Sequence, residues 1–195
     1  MMNTTQFNSK AWVILFLVTL LCGMSLKAQE YKLDDSSSEM IIYGTSNLHD
    51  WEIDAEDQDV KLLMGESDNS IKDLEVIVGV KGLKSGKGGM DKNTYKALDA
   101  DDHENIRYKM KEVKTISEKG AGTWAIETAG EMTISGVTKM VTVPFEMKVD
   151  GNKVILTGEK SLKMTEFNVE PPTALFGTIT TGDEVTIKFK STMSR

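Results

Sequence analysis

Cysteine is almost absent from this chain: the single one, Cys22, lies in an apolar N-terminal stretch. Histidine is nearly as scarce, with only His49 and His103 among 195 residues. Two histidines on separate segments, with no cysteine beside them, do not supply the three or four ligands at defined spacing that a metal site needs. The acids at Asp54, Glu56, Asp57 and Asp59 lack the glycine and terminal glutamate of a calcium loop, so they read as a solvated turn. Neither Gly-x-Ser-x-Gly nor Ser-x-x-Lys occurs, and a triad would have to recruit one of two unsupported histidines. The chain is therefore not read as an enzyme. It also has no internal repeat and no composition shift that would mark a linker, so residues 29–195 are read as one domain.

The one long apolar run is at the N-terminus. Lys10 precedes an uncharged stretch from Ala11 to Leu26, which closes on Leu26-Lys27-Ala28. A basic flank, an apolar core and a small residue before the cut form the layout of a secretory signal. The stretch is also shorter than the roughly 18–20 residues that span a bilayer. Residues 1–28 are thus expected to be a cleaved signal, which places the mature protein in the periplasm or outside the cell without stable membrane insertion. Cleavage removes Lys10 and Lys27 but no acid, so the net charge moves from -7 to -9. It also removes Cys22 and with it any disulfide or thiol chemistry. An acidic chain repels nucleic acid phosphates and anionic membrane surfaces, so neither is an expected partner. About 167 residues remain, enough for one real core.

What is abundant is alternation. Val141, Val143, Phe145, Met147 and Val149 are apolar, and Thr142, Pro144, Glu146 and Lys148 separate them. After Asp150-Gly151-Asn152 the pattern resumes with Val154, Leu156, Gly158, Leu162 and Met164, opposite Thr157, Glu159, Ser161 and Lys163. A period of two marks strands with one dry and one wet face, and Asp-Gly between two such runs signals a hairpin. Further strands are read at Met40–Tyr43, Trp51–Asp54, Val60–Met64, Leu74–Val80, Ile106–Met110, Trp124–Met132 and Val185–Phe189. Met90, Thr94, Tyr95 and Leu98 share one face of a short helix after Gly88-Gly89. Asp34 to Glu39 reads as a solvated lead-in. Pro144 cannot donate to a ladder, so a bulge is expected beside it. Eight or nine antiparallel strands with one or two short helices fit a sandwich or a closed barrel, and a barrel of about eight strands has room for side chains or one small ligand.

The candidate lining follows the dry face: Ile126, Met132, Val143, Phe145, Met147, Leu156, Leu162, Met164, Ile187 and Phe189. Nine methionines follow residue 28, and methionine adapts to irregular apolar partners. Lys81, Lys84, Lys87, Lys92 and Lys96 make the one basic patch, interleaved with Ser85-Gly-Lys-Gly-Gly89. Glycine-rich backbone can aim several N–H groups at an anion, so Lys84 and Lys87 are head-group candidates, although the patch also suits a solvated loop. His49, beside Asp50 and Trp51, is read as a hydrogen-bonded structural residue with ligand contact as the second role. His103 lies among acids and is expected at the surface.

Three blocks carry a family resemblance. They are Gly44-Thr-Ser-Asn-Leu-His-Asp-Trp51; Met132-Thr-Ile-Ser-Gly-Val-Thr-Lys139 with Val141-Thr-Val-Pro144; and Leu162-Lys-Met-Thr-Glu-Phe-Asn-Val-Glu-Pro-Pro172 continuing to Thr181-Gly-Asp-Glu-Val-Thr-Ile-Lys-Phe189. In order and spacing the chain resembles the YceI-like family, described as lipid- or polyisoprenoid-binding. That resemblance implies an exported, eight-stranded, antiparallel, lipocalin-like barrel around an amphiphilic isoprenoid. The chain departs from the family in the lysine- and glycine-rich loop Leu83–Asp91, and in the lack of proline across Asp102–Tyr108. The expected ligand is a polyprenyl phosphate or a quinone, with no other cofactor and with oligomerisation left open. Its tail would lie among the lining residues and its head at the helix-bearing mouth, with Trp51 and Phe167 as rim contacts. The rival reading is a ligand-free barrel used as a protein-interaction or stress-response module.

Overall fold

The computed structural model describes residues 29–174 and 176–195; the expected signal at residues 1–28 lies outside them. The chain runs through β1 (Gln29–Leu33), β2 (Glu39–Ser46), β3 (Trp51–Ala55), β4 (Gln58–Met64), β5 (Ile71–Gly79) and β6 (Leu83–Lys84). One α-helix follows, α1 (Gly88–Ala97). The long strands β7 (Asn105–Gly120), β8 (Thr123–Ile134), β9 (Val137–Asp150) and β10 (Lys153–Lys163) come next, then β11 (Thr173–Ala174) and β12 (Ile179–Ser194).

All pairings are antiparallel, in the order β1-β4-β5-β7-β8-β9-β10-β12, and β12 returns to β1 through Lys32↔Ser194 and Leu33↔Met193. β2, β3 and β6 prolong β1, β4 and β5 beyond short interruptions, with β2 on β12, β3 on β2 and β6 on β3. The result is a closed barrel of eight staves, which removes the sheet edges that an open sandwich would expose. The interruptions have a steric origin. The Gly79 N–H donates to the Asp57 carbonyl at 2.9 Å, and the Glu56 N–H donates to the Gly82 carbonyl at 2.9 Å. A Cβ on Gly82 would fall 2.3 Å from the Asp57 Cβ and 2.9 Å from its backbone nitrogen, so glycine there lets these backbones cross, while one on Gly79 would meet the Asp57 carboxylate at 2.1 Å.

Several local expectations are corrected. β1 is a strand that the alternation did not reveal, and its Tyr31 is 1% exposed in the core. The lead-in is solvated as expected and also forms a 3-10 turn, Asp35–Ser37, whose N-cap Asp34 accepts hydrogen bonds from the Ser36 N–H and from the Ser36 and Ser37 hydroxyls. The β9–β10 hairpin turns on Gly151-Asn152, with Asp150 already paired to Lys153. No bulge accompanies Pro144, which stays in register with Glu127 of β8. The ladder to β10 ends beside it instead, at Gly158↔Phe145. A residue without an N–H sits where pairing stops.

Inward glycines shape the lumen. A Cβ on Gly44 would lie 2.0 Å from Trp51, one on Gly130 2.6 Å from the Tyr108 ring, and one on Gly158 2.8 Å from Phe189. Each of these glycines therefore leaves room for a ring against its backbone. The Tyr108 hydroxyl is satisfied inside the core by Thr128 Oγ1 at 2.8 Å, and Thr128 reaches the Val143 carbonyl at 3.3 Å. Burial raises the Tyr108 pKa, against the opposing hydrogen bond from Thr128. Thr128→Val keeps the shape but orphans that phenol, so urea unfolding is expected to show a loss of about 1–3 kcal/mol. An unchanged midpoint would mean that the phenol finds another partner.

Candidate functional site

The two ends of the barrel differ. At the end closed by short turns, Tyr31, Leu62, Met147, Val154 and Met193 are each at most 1% exposed and belong with Ile126 to one apolar cluster. At the other end emerge the 47–50 loop, α1, the Ser135-Gly136 turn and the long 164–178 segment. Beneath them lies a cavity of about 960 Å³, within the range of roughly 300–1,000 Å³ typical of small-molecule sites. Its walls come from Met40 and Ile42 of β2, Trp51 and Ile53 of β3, Ile134 of β8, Leu162 of β10, and Val185 and Ile187 of β12. A second pocket of about 120 Å³ lies against it, and Met40, Val78, Ile106, Ile134 and Ile187 line both.

The helix forms one side of the mouth. Met90, Asn93, Thr94 and Ala97 face the cavity, as the sequence period anticipated for Met90 and Thr94. Tyr95 turns away, and its hydroxyl lies 2.9 Å from the Leu83 carbonyl and 3.1 Å from the Lys81 carbonyl. The far end of the helix is tied to the β8–β9 turn, where the Ser135 hydroxyl donates to the Leu98 carbonyl at 3.0 Å. His103 packs its ring on Gly136 and is half-buried, which corrects its expected place at the surface.

At the start of the helix, Asp91 accepts from the Ser85 N–H at 2.8 Å and from the Ser85 hydroxyl. These donors, the hydroxyl first, hold the Asp91 carboxyl below its ordinary value of 3.8. A carboxylate so depressed adds stability above pH 3.8 and loses it as the pH falls through the lower folded value. Acidification from pH 5 to pH 3 is thus expected to loosen the helix before the barrel. Amide exchange across Met90–Ala97 reads this, and equal protection at both pH values would refute it.

The opposite side of the mouth is built from two loops tied together. Asn47 donates its side-chain amide to the Thr178 carbonyl at 2.9 Å and accepts from the Thr180 N–H at 3.0 Å. These loops carry Leu48, 65% exposed, and Phe176, fully exposed and lining the cavity at φ +55°.

The sequence-named residues divide into four groups. Trp51, Leu162, Met164, Phe167 and Ile187 line the cavity, with His49 and Lys87 at its mouth. Met132, Val143, Phe145, Leu156, Ile187 and Phe189 line the inner pocket. Ile126 and Met147 line neither and belong to the packed end. Lys84 is committed elsewhere: its ammonium donates to the Tyr95 hydroxyl at 2.9 Å, which raises its pKa. Lys81 pairs with Asp101 at 2.8 Å, leaving Lys87 and Lys92 as the patch members at the mouth.

Neither expected rim contact is a surface group. Phe167 is 1% exposed, and Trp51 is half-buried, with its indole N–H donating to the Thr45 carbonyl at 2.9 Å. His49 is exposed, with Nδ1 at 2.8 Å from the Asp50 carbonyl. Missed by sequence were Val78, Ile106 and Val185, as well as Met40, Ile42, Ile53 and Ile134. Extending the parity of Trp51 to Ile53, and of Met132 to Ile134, would have found the last two. Among the described residues no acid, histidine and cysteine cluster could hold a metal ion, and no helix is long and apolar enough to cross a membrane.

A model of the YceI-like domain matches residues 31–193. No curated protein matches the chain. Among solved structures, Burkholderia cenocepacia BcnA is similar at TM-score 0.65 and 18% identity, covering 82% of this chain and 98% of its own. A polyisoprenoid binding domain from Saccharophagus degradans, implicated in plant cell wall breakdown, aligns at 0.64 and 8%, covering 86% and 99%. A Campylobacter jejuni YCEI protein aligns at 0.54 and 15%, covering 71% and 81%.

Proposed function

The chain belongs to the YceI-like family, and from that premise we propose that it is an exported carrier that sequesters an isoprenoid-type lipid. The observation that carries this reading is the apolar cavity of about 960 Å³ at one end of an otherwise packed barrel. Apolar surface withdrawn from water contributes about 25 cal/mol per Å², so a prenyl chain lying along these walls is held without any specific polar contact. The Saccharophagus degradans neighbour is a polyisoprenoid binding domain, which supports the same ligand class here. Export to the periplasm or beyond is supported by the signal-like layout of residues 1–28. A polyprenyl phosphate and a quinone both fit the reading.

Function would consist of sequestration. The barrel removes the chain from water, with α1 and Phe176 bordering the way in. Native mass spectrometry of the purified protein, followed by organic extraction, tests the proposal. A stoichiometric lipid that the extract identifies as an isoprenoid is the expected result. A clean protein mass that does not change on addition of polyprenols or quinones would favour the ligand-free interaction module.

A further inference from the structure

Lys160 stands on the dry face of β10. Leu156, Gly158 and Leu162 of that strand point inward, and Lys160 takes the inward place between the last two. It lines the inner pocket, where it is the only charged side chain and is half-buried. Its cross-strand partner on β12 is Ile187, and the ladder to β9 has already ended at Gly158↔Phe145. Among the described residues it makes no ion pair and no side-chain hydrogen bond, whereas Lys81, Lys84 and Lys109 are all engaged.

We infer that Lys160 receives the acidic head of the bound amphiphile, which therefore enters head first. This rests on the carrier reading and reverses the orientation that the basic patch suggested. An apolar tail pressed against an unpartnered ammonium would strip its water and offer nothing in return, which is costly. A carboxylate or phosphate oxygen removes that cost and gains a charge-assisted hydrogen bond in a low-dielectric setting. The inner pocket of about 120 Å³ suits a compact head, and the larger cavity takes the chain. The mouth matches this orientation, because exposed Leu48 and Phe176 present apolar surface where the tail would leave. Lys87 and Lys92 sit there in water, where an ion pair contributes little.

Two probes with one chain, farnesoic acid and farnesol, test the assignment by titration of the purified protein. The wild type is expected to prefer the acid by about tenfold, the value of a charge-assisted hydrogen bond. Lys160→Met should erase that preference while still binding farnesol, which also shows that the variant folds. Lys87→Met with Lys92→Met should retain the preference. Loss of the preference in the mouth variant, or its survival in Lys160→Met, overturns the inference. Equal binding of both probes to the wild type overturns the inference while leaving the carrier reading intact. Binding of neither probe overturns both.

Discussion

Replacing Ile187 with tryptophan is expected to weaken binding of a long-chain ligand by about thirtyfold while leaving the barrel folded. Ile187 lines both the cavity and the inner pocket, and lies between Lys160 of β10 and Ile42 of β2. An indole at this place projects into the passage between the two spaces. Each methylene denied burial costs about 0.8 kcal/mol, so excluding two or three of them costs about 2 kcal/mol, which is about thirtyfold in affinity. The site borders open volume on one side, so the added ring has room and should cost less than the 1–3 kcal/mol typical of overpacking a filled core. Titration with a long-chain prenol reads the affinity, and thermal unfolding reads the fold. Full affinity in a folded variant would mean that the chain does not pass Ile187.

Strand parity made most of the barrel legible. It placed Met132, Val143, Phe145, Met147 and Phe189 inward because none of them has an apolar neighbour in sequence on a long strand. It failed where strands are short or interrupted. β1 offers only Tyr31 and Leu33 within five residues, too little for a period, yet Tyr31 is a core residue. The breaks at Glu56-Asp57 and Val80–Gly82 depend on Gly79 and Gly82 meeting Asp57 from another strand, a contact invisible in any local window. Lys160 shows a different failure: its parity was readable, but a charged residue on a dry face is easily passed over. The division between packed and open ends was not legible at all. Val143 and Met147 share the same pattern on β9, yet Met147 packs the closed end and Val143 lines the pocket. What separates them is distance along the barrel axis, which alternation does not encode.

Phe167→Ala is expected to cost about 3–5 kcal/mol, the usual range for a buried phenylalanine, and to weaken ligand retention as well. On β9 the pairing with β8 runs to Val137, but the pairing with β10 stops at Phe145. Above that point two neighbouring staves have no ladder between them. The 3-10 turn Met164–Phe167 follows β10 directly and contacts β9, β10 and β12, so it covers the gap. Its geometry is fixed from both sides. Asn168 adopts the left-handed conformation, and the Val169 N–H donates to the Met164 carbonyl at 3.1 Å. Asp183 accepts from the Thr165 N–H at 2.9 Å and from its hydroxyl at 2.7 Å, which pins the turn to β12 and lowers the Asp183 pKa. Phe167 and Val169, 1% and 3% exposed, are the apolar residues so placed. Removing the ring leaves unpaired β9 and β10 backbone facing a hole that opens into the cavity. Water then reaches Leu162 and Lys160 from the side, so bound lipid should dissociate faster even at temperatures where the variant is folded. Denaturant unfolding measures the first effect and a lipid off-rate measures the second. A destabilised variant with an unchanged off-rate would show that Phe167 packs the barrel without sealing it.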